Sequence, residues 1–357
     1  VRKPAILVTG ASGEIGHGLV ERLSDLGGPA LVTIDIAPLD RTLARRVTRE
    51  VTASILDPGV LERLLAEFEI DRVYHLAALL STRAEFSPMT AHQVNVEGTL
   101  HLLEFAERQA ESHGRPVRFL YPSSIAVYGL PDLDTKARAG RVREDEWTQP
   151  TTMYGCNKLY CELLGRYYAR HYKQLSAESA TGRVDFRAVR FPGLISAVTV
   201  PSGGTSDFAP EMIHAAAKGE PYACFVRPDT QIPFMAMPDA IEALLRLGDA
   251  PGAALNRSVY NLGAFAPTAD AIRDEVRRAF PGAEVSYAVD VRRQGIVDTW
   301  PADVDASAAA ADWGFAPRYD FTRAFREYLI PVIGARYGQT GEARAASGGG
   351  AHAQTDG

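Results

Sequence analysis

The sequence predicts an α/β fold, a doubly wound parallel sheet with a smaller C-terminal α/β lobe. Three observations predict it. Short β-branched runs alternate with longer amphipathic stretches through the first half of the chain, as strands do when each crosses to the next through a helix. A glycine-rich turn separates the first run from the first amphipathic stretch. Past Pro192 the alternation loosens into Gly/Pro-rich loops and shorter helical patterns.

In order, strands are expected at Ala5–Thr9, Leu31–Asp35, Val47–Val51, Arg72–Leu76, Val117–Tyr121 and Val184–Arg190. Each is a short apolar, β-branched or aromatic run bounded by polar or turn residues. Helices are expected at Glu14–Leu26, Pro58–Phe68, Ala91–Ala110 and Met153–Tyr172, then Asp207–Lys218, Asp239–Leu247 and Pro267–Phe280. The polar stretches Pro131–Pro150 and Gln174–Gly182 read as surface loops, and Gln339–Gly357, rich in Gly, Ala and Ser, as a disordered tail.

The 357 residues carry 38 Lys and Arg against 44 Asp and Glu, net −6. That balance argues against nucleic-acid binding through phosphates and against a polybasic membrane contact. Cys156, Cys161 and Cys224 form no CxxC pair and no even framework, so neither a disulfide scaffold nor structural zinc is expected. The histidines are scattered without ligand spacing, and no metal is expected. No apolar run approaches the roughly 20 residues that span a bilayer. The sequence reads straight into Ala5-Ile6-Leu7-Val8 without a leader pattern, so a cytoplasmic protein is expected.

Gly10-Ala11-Ser12-Gly13-Glu14-Ile15-Gly16 closes the first strand and opens the first helix. Gly10 allows the tight turn, Gly13 lets a pyrophosphate approach the backbone, and Gly16 lets helix and strand pack closely. The helix N-terminus adds N–H donors and a positive dipole end. Asp35, about 20 residues on, stands where a carboxylate binds ribose hydroxyls and repels a 2′-phosphate. The expected ligand is therefore NAD, in a Rossmann domain over residues 1–192, with 193–335 mainly substrate-binding. Asp57, preceded by Leu56, is read at the adenine; an N-cap before Pro58 suits it equally well.

Tyr154 and Lys158 stand at i and i+4 on one helix face, and Ser123-Ser124 ends the fifth strand about thirty residues earlier. A phenol with a reference pKa near 10 needs about three units of help to act as a base near neutrality. A neighbouring ammonium favours its phenolate, and the Ser124 hydroxyl can hold a substrate oxygen.

On these residues the chain resembles the extended short-chain dehydrogenase/reductase superfamily over roughly residues 3–330. The resemblance runs through the glycine turn, Asp35, Asp57, His75-Leu76-Ala77-Ala78, Asn95, Ser123-Ser124, Tyr154-x-x-x-Lys158 and Phe191-Pro192-Gly193. It implies that Ser124, Tyr154 and Lys158 are catalytic. It implies that Ser12, Glu14, Ile15, Leu76, Ala77, Ala78 and Pro192 line the cofactor, and that Asn95 supports the active-site helix. It also suggests a homodimer through the Ala91–Ala110 and Met153–Tyr172 helices.

Nucleotide-sugar members of that superfamily carry an arginine that grips the substrate diphosphate. Ile232 holds that position here, with Arg227 nearby as a possible substitute. An apolar side chain cannot replace a bidentate clamp. Ala77–Ser81, Pro192–Ser196, Gly203–Asp207, Asp298–Ala302 and Asp312–Phe315 are instead similar to the short-chain L-threonine 3-dehydrogenases. That resemblance implies a small-molecule substrate whose amino-acid head group is held by Ser81, Thr205 and Ser206, with Ser123 and Ser124 also at the substrate and Trp300 closing the pocket. It implies oxidation of L-threonine to 2-amino-3-ketobutyrate. A sugar-nucleotide epimerase or dehydratase is the alternative, and a non-catalytic NAD sensor a third reading that the intact Ser124, Tyr154 and Lys158 disfavour.

Overall fold

The structure, a computed structural model, describes residues 2–176, 181–201 and 203–338. The expected tail at 339–357 and positions 177–180 of the Gln174–Gly182 stretch lie outside the described residues.

Seven parallel strands form the central sheet: β1 (Lys3–Thr9), β2 (Ala30–Asp35), β3 (Arg49–Thr52), β4 (Phe68–His75), β5 (Val117–Ser124), β6 (Val184–Phe191) and β7 (Val259–Asn261). Their spatial order is 7-6-5-4-1-2-3. Successive side chains point to opposite faces. Leu7, Val32, Val73 and Phe119 therefore enter one core, and Ile6, Val8, Tyr74 and Leu120 another. Both faces are covered, which is why the strands read as continuous apolar runs.

The helices that position the site are α1 (Glu14–Leu26), α2 (Pro58–Glu67), α3 (Gly98–His113), α4 (Met153–Arg170), α5 (Phe208–Lys218), α6 (Met237–Asp249) and α7 (Val291–Asp298). α2, α3 and α4 cover one face through Leu61, Leu64, Leu102, Phe105 and Cys161. α1 and α6 cover the other through Leu19, Leu23, Ala240 and Leu244. The strand order reverses between β1 and β4, and the C-terminal ends there frame a crevice, the usual ligand position in such sheets.

The structure differs from the sequence reading in three places. β7 was not expected; it comes from beyond residue 193, as does α6, so the chain returns to the sheet after the expected boundary. The expected helix at Ala91–Ala110 starts as Pro88–His92, widens into a π turn at Gln93–Glu97, and only then becomes α3. Pro131–Pro150 is not a bare surface loop. Asp132 caps a helix at Leu133–Ala139 by accepting from the Thr135 N–H at 2.6 Å. Arg141–Val142 then pairs in parallel with Asp303–Val304, and Leu130, Lys136 and Val142 are buried.

The C-terminal half adds two short parallel ladders, Gly193–Ile195 with Phe234–Ala236 and Tyr222–Cys224 with Val285–Tyr287. They surround a core that includes Phe208, Ile232, Phe234 and Trp300. No helix among the described residues is long and apolar enough to cross a membrane.

One ion pair ties α4 to the sheet from inside. The Arg190 guanidinium donates to both Glu162 oxygens, at 2.9 and 2.7 Å, with side-chain exposures of 4% and 3%. Arg190 also donates to the Tyr128 hydroxyl and the Glu144 carbonyl. Removing one partner leaves a buried charge unpaired. Glu162→Ala should therefore lower unfolding free energy by about 3–5 kcal/mol in urea denaturation. A loss below about 1 kcal/mol, the range of an exposed pair, would contradict this.

Candidate active site

The crevice at the β1/β4 switch is a cleft of about 590 Å³. Its floor is the glycine turn. Gly10 adopts φ +70°, and a Cβ there would lie 2.5 Å from the Ala77 nitrogen. A Cβ on Gly16 would lie 2.2 Å from the Gly10 carbonyl oxygen, so both positions require glycine. Above Gly13 the space is open, since an added Cβ would meet only the Gly10 carbonyl at 3.3 Å. Gly13 begins α1 without a side-chain cap. An open cradle beside an uncapped helix N-terminus fits a pyrophosphate.

Asp35 ends β2 beside this turn. Its carboxylate accepts from the Ser12 N–H at 2.9 Å and the Ala37 N–H at 3.0 Å. The Ser12 hydroxyl donates to the Ala37 carbonyl. The carboxylate is thus fixed at the cleft wall, where ribose hydroxyls fit. At the end of β4, His75 is buried between the Thr9 and Thr99 hydroxyls at 2.8 and 2.9 Å, and burial pushes its pKa down to about 3. A neutral imidazole there locks the strand end from which Leu76, Ala77 and Ala78 line the cleft.

The chemistry-bearing side chains stand opposite the turn. Thr152 accepts from the Gly155 N–H at 3.1 Å, and Glu85 accepts from the Met153 N–H at 2.7 Å, so the start of α4 is capped twice. A Cβ on Gly155 would lie 2.0 Å from the Ala126 carbonyl oxygen; only glycine lets α4 approach the β5 tip this closely. The approach brings the Tyr154 phenol and Ser124 to the same wall of the cleft. Burial raises the Tyr154 pKa, and Ser124 opposes it. Lys158 donates to the Pro122 carbonyl at 2.6 Å, with its ammonium 5.5 Å from the Tyr154 ring centre. Burial pushes Lys158 down to about 8, with Cys161 and Glu162 opposing.

On the far side, Thr205 from the C-terminal half donates to the Ser81 hydroxyl at 3.3 Å, and Ser206 and Trp300 line the cleft. The Trp300 indole N–H is buried and has no acceptor among the described residues. Such a donor is costly unless a ligand satisfies it.

Of the residues singled out in the sequence, Gly10, Ser12, Gly13, Glu14, Ile15, Gly16, Asp35, Leu76, Ala77, Ala78, Ser81, Ser124, Tyr154, Lys158, Pro192, Ser206 and Trp300 meet around this one cleft. Four side chains are engaged elsewhere. Asp57 caps α2 through the Gly59 N–H at 2.9 Å; the cleft wall there is Ser54 and Ile55, not Leu56 or Asp57. Asn95 holds Leu79 by both its N–H and C=O and donates to Asn157, acting behind the wall. The Ser123 hydroxyl is turned to Glu162. Thr205 stands behind Ser81. Glu14 stays at the cleft, and burial raises the pKa of its carboxyl with Thr199 opposing. Met237 and Arg83 also line the cleft. Met237 had no signal in sequence, whereas Arg83, two residues after Ser81, could have been found by extending that segment one turn.

Ile232 is fully buried in the C-terminal core. Arg227 is spent on Asp298, with two bonds of 2.9 Å. Neither offers a free cation to a diphosphate. Among the described residues no group of three His, Cys, Asp or Glu side chains could hold a metal ion.

Comparison with known proteins agrees with this geometry. The model of the NAD dependent epimerase/dehydratase family matches residues 6–263. An uncharacterized epimerase/dehydratase of Staphylococcus saprophyticus is 34% identical over 333 residues, covering 92% of this chain and 97% of the relative. Among solved structures, a GalE-like L-threonine dehydrogenase from Cupriavidus necator in its holo form is 35% identical with a TM-score of 0.78, covering 94% of this chain and 99% of that one. A monomeric L-threonine 3-dehydrogenase of metagenomic origin, in its apo form, is 34% identical with a TM-score of 0.80, covering 93% and 99%.

Two predictions follow from the two sides of the cleft. Asp35→Ala should reduce the preference for NAD over NADP by about tenfold or more, because the charge that repels a 2′-phosphate is lost. Equal turnover of the wild type with both cofactors would place Asp35 elsewhere. The second concerns pH. Burial lowers Lys158 to about 8 and raises Tyr154, so the pair loses its first proton near that value. The phenolate–ammonium arrangement that a Tyr154 base requires is one of the two forms it then shares. Oxidation should thus rise with pH toward that value and level off above it. Lys158→Met should move the rise to higher pH, since the phenol alone is held up by burial. A profile that Lys158→Met leaves in place would refute the pairing.

Proposed function

This chain belongs to the NAD dependent epimerase/dehydratase family, with NAD as its cofactor, and from that premise we propose that it oxidises the hydroxyl of a small β-hydroxy amino acid, L-threonine foremost, to 2-amino-3-ketobutyrate. The observation that carries this reading is the substrate side of the cleft. Ser81 and Ser206 offer short hydroxyls, Thr205 holds the Ser81 hydroxyl from behind, Trp300 offers an unsatisfied N–H, and the place of a diphosphate clamp is filled by Ile232 in the core. Small polar groups of this kind suit a zwitterion and not a nucleotide sugar. Similarity to L-threonine dehydrogenases along both halves of the chain supports it.

NAD, when bound, supplies the hydride acceptor. Tyr154 takes the hydroxyl proton of the substrate, and the Ser124 hydroxyl holds the oxygen as it becomes a carbonyl. Lys158 favours the phenolate that the first of these steps needs. Trp300 covers the reacting carbon and keeps water out. The half-exposed apolar residues Leu100 on α3 and Tyr160, Leu163 and Tyr167 on α4 further suit pairing with a second copy, as a cytoplasmic homodimer. Sedimentation at micromolar concentration decides between a dimer and a monomer like the metagenomic relative.

A screen for NADH formation over L-threonine, L-serine, 3-hydroxybutyrate and UDP-sugars tests the reaction. NADH should accumulate with L-threonine and weakly with 3-hydroxybutyrate, which lacks the ammonium. Tyr154→Phe should lose at least about a hundredfold in kcat with little change in NAD affinity. Epimerisation of a UDP-sugar without NADH release would favour the epimerase alternative instead.

A further inference from the structure

The stretch 130–151 does more than cross the surface. Lys136, on the short helix Leu133–Ala139, is 7% exposed, and its ammonium donates to the Val297 carbonyl at 3.0 Å. That carbonyl closes α7 and also accepts the Trp300 backbone N–H at 3.1 Å. Around this point the stretch makes further contacts with the same segment. Leu130 N–H donates to the Thr299 carbonyl at 2.8 Å, the Thr151 and Thr299 hydroxyls meet at 3.2 Å, and Arg141 pairs with Asp303 at 3.0 Å beside the Arg141–Val142 ladder.

α7 in turn reaches the other substrate wall. Arg293 lies over the Phe225 ring at 3.2 Å and donates to the Gly204 carbonyl at 2.5 Å, next to Thr205 and Ser206. One short helix therefore carries Trp300 at its end and braces the Gly204–Ser206 loop from its middle. Its C-terminal end is the negative end of its dipole, where a cation is favourable. Burying the ammonium is costly unless it is hydrogen-bonded, which the Val297 carbonyl provides; burial still pushes its pKa down to about 8, with Asp298 opposing.

We propose that Lys136 is a positioning residue for the substrate: by holding the Val297 carbonyl it sets the end of α7, and with it Trp300 and the Gly204–Ser206 loop. Lys136 itself touches neither substrate nor cofactor. The proposal rests on the reading of Trp300 and that loop as the substrate side of the cleft. Small displacements of a positioning group can cost orders of magnitude in productive binding.

Hydrogen exchange and steady-state kinetics on Lys136→Met, Lys136→Arg and Arg141→Ala test it. Exchange in peptides spanning 297–304 should accelerate in Lys136→Met, while peptides of β5 and α4 stay as in the wild type; this arm needs no substrate. With the hydroxy substrate that the wild type oxidises, Lys136→Met should raise KM by about tenfold with kcat and NAD affinity nearly unchanged, and Lys136→Arg should recover part of it. The exposed Arg141→Ala should raise KM by about twofold, and it decides alone if Lys136→Met does not fold. Faster exchange at 297–304 with an unaltered KM would overturn the positioning role, as would a parallel loss of thermal stability, NAD affinity and kcat. A wild type that makes no NADH from any hydroxy acid, with exchange changed as described, would fault the functional reading and spare the packing on which Lys136 acts.

Discussion

Burying an ammonium beside a phenol is the constraint around which this molecule is arranged. Lys158 is nearly out of water, and the chain offsets that with the Pro122 carbonyl at 2.6 Å and the face of Tyr121 at 4.6 Å. Burial lowers the lysine and raises Tyr154, so both groups are pushed toward their neutral forms. The geometry needs α4 pressed onto the β5 tip, which Gly155 permits and the Glu162–Arg190 pair secures about two turns further along the helix. Strand order then places the glycine turn of β1 across the cleft from that tip, with β4 between them.

What the sequence made legible has a local cause. The glycine turn, the strands covered on both faces and the Tyr-x-x-x-Lys helix face each follow from a few adjacent residues, and the structure brings them to one cleft. What it hid depends on partners far along the chain. β7 is only three residues long and earns its place by pairing with β6. Lys136 looks like an ordinary solvated lysine until Val297, 161 residues away, is brought to it. Asp57 and Ser123 illustrate a different limit. Asp57 caps α2 outside the cleft wall, and Ser123 reaches the cleft but turns its hydroxyl to Glu162. Asn95, by contrast, holds Leu79 and Asn157 of α4, the supporting place expected of it. A motif gives the neighbourhood of a side chain; its hydrogen-bond partners give its task.

The two halves of the chain divide the chemistry unevenly. The sheet supplies the cofactor cradle and the proton-handling groups on rigid elements. The C-terminal half brings Ser206, Met237 and Trp300 to the cleft wall, on segments held by Arg293, Lys136 and the Ser81–Thr205 contact. Ile232 is buried in the C-terminal core and Arg227 is closed on Asp298, so neither position presents a charged side chain to the cleft.

The most direct measurement follows the hydrogen itself. L-threonine carrying deuterium at its β-carbon is incubated with the protein and excess NAD, and the NADH released to solution is analysed by mass. The account requires the deuterium to appear in free NADH, in amounts many times the enzyme present, with the 2-amino-3-ketobutyrate or its decarboxylation product formed in step. NADH without the label, or label that never leaves the threonine, would contradict it.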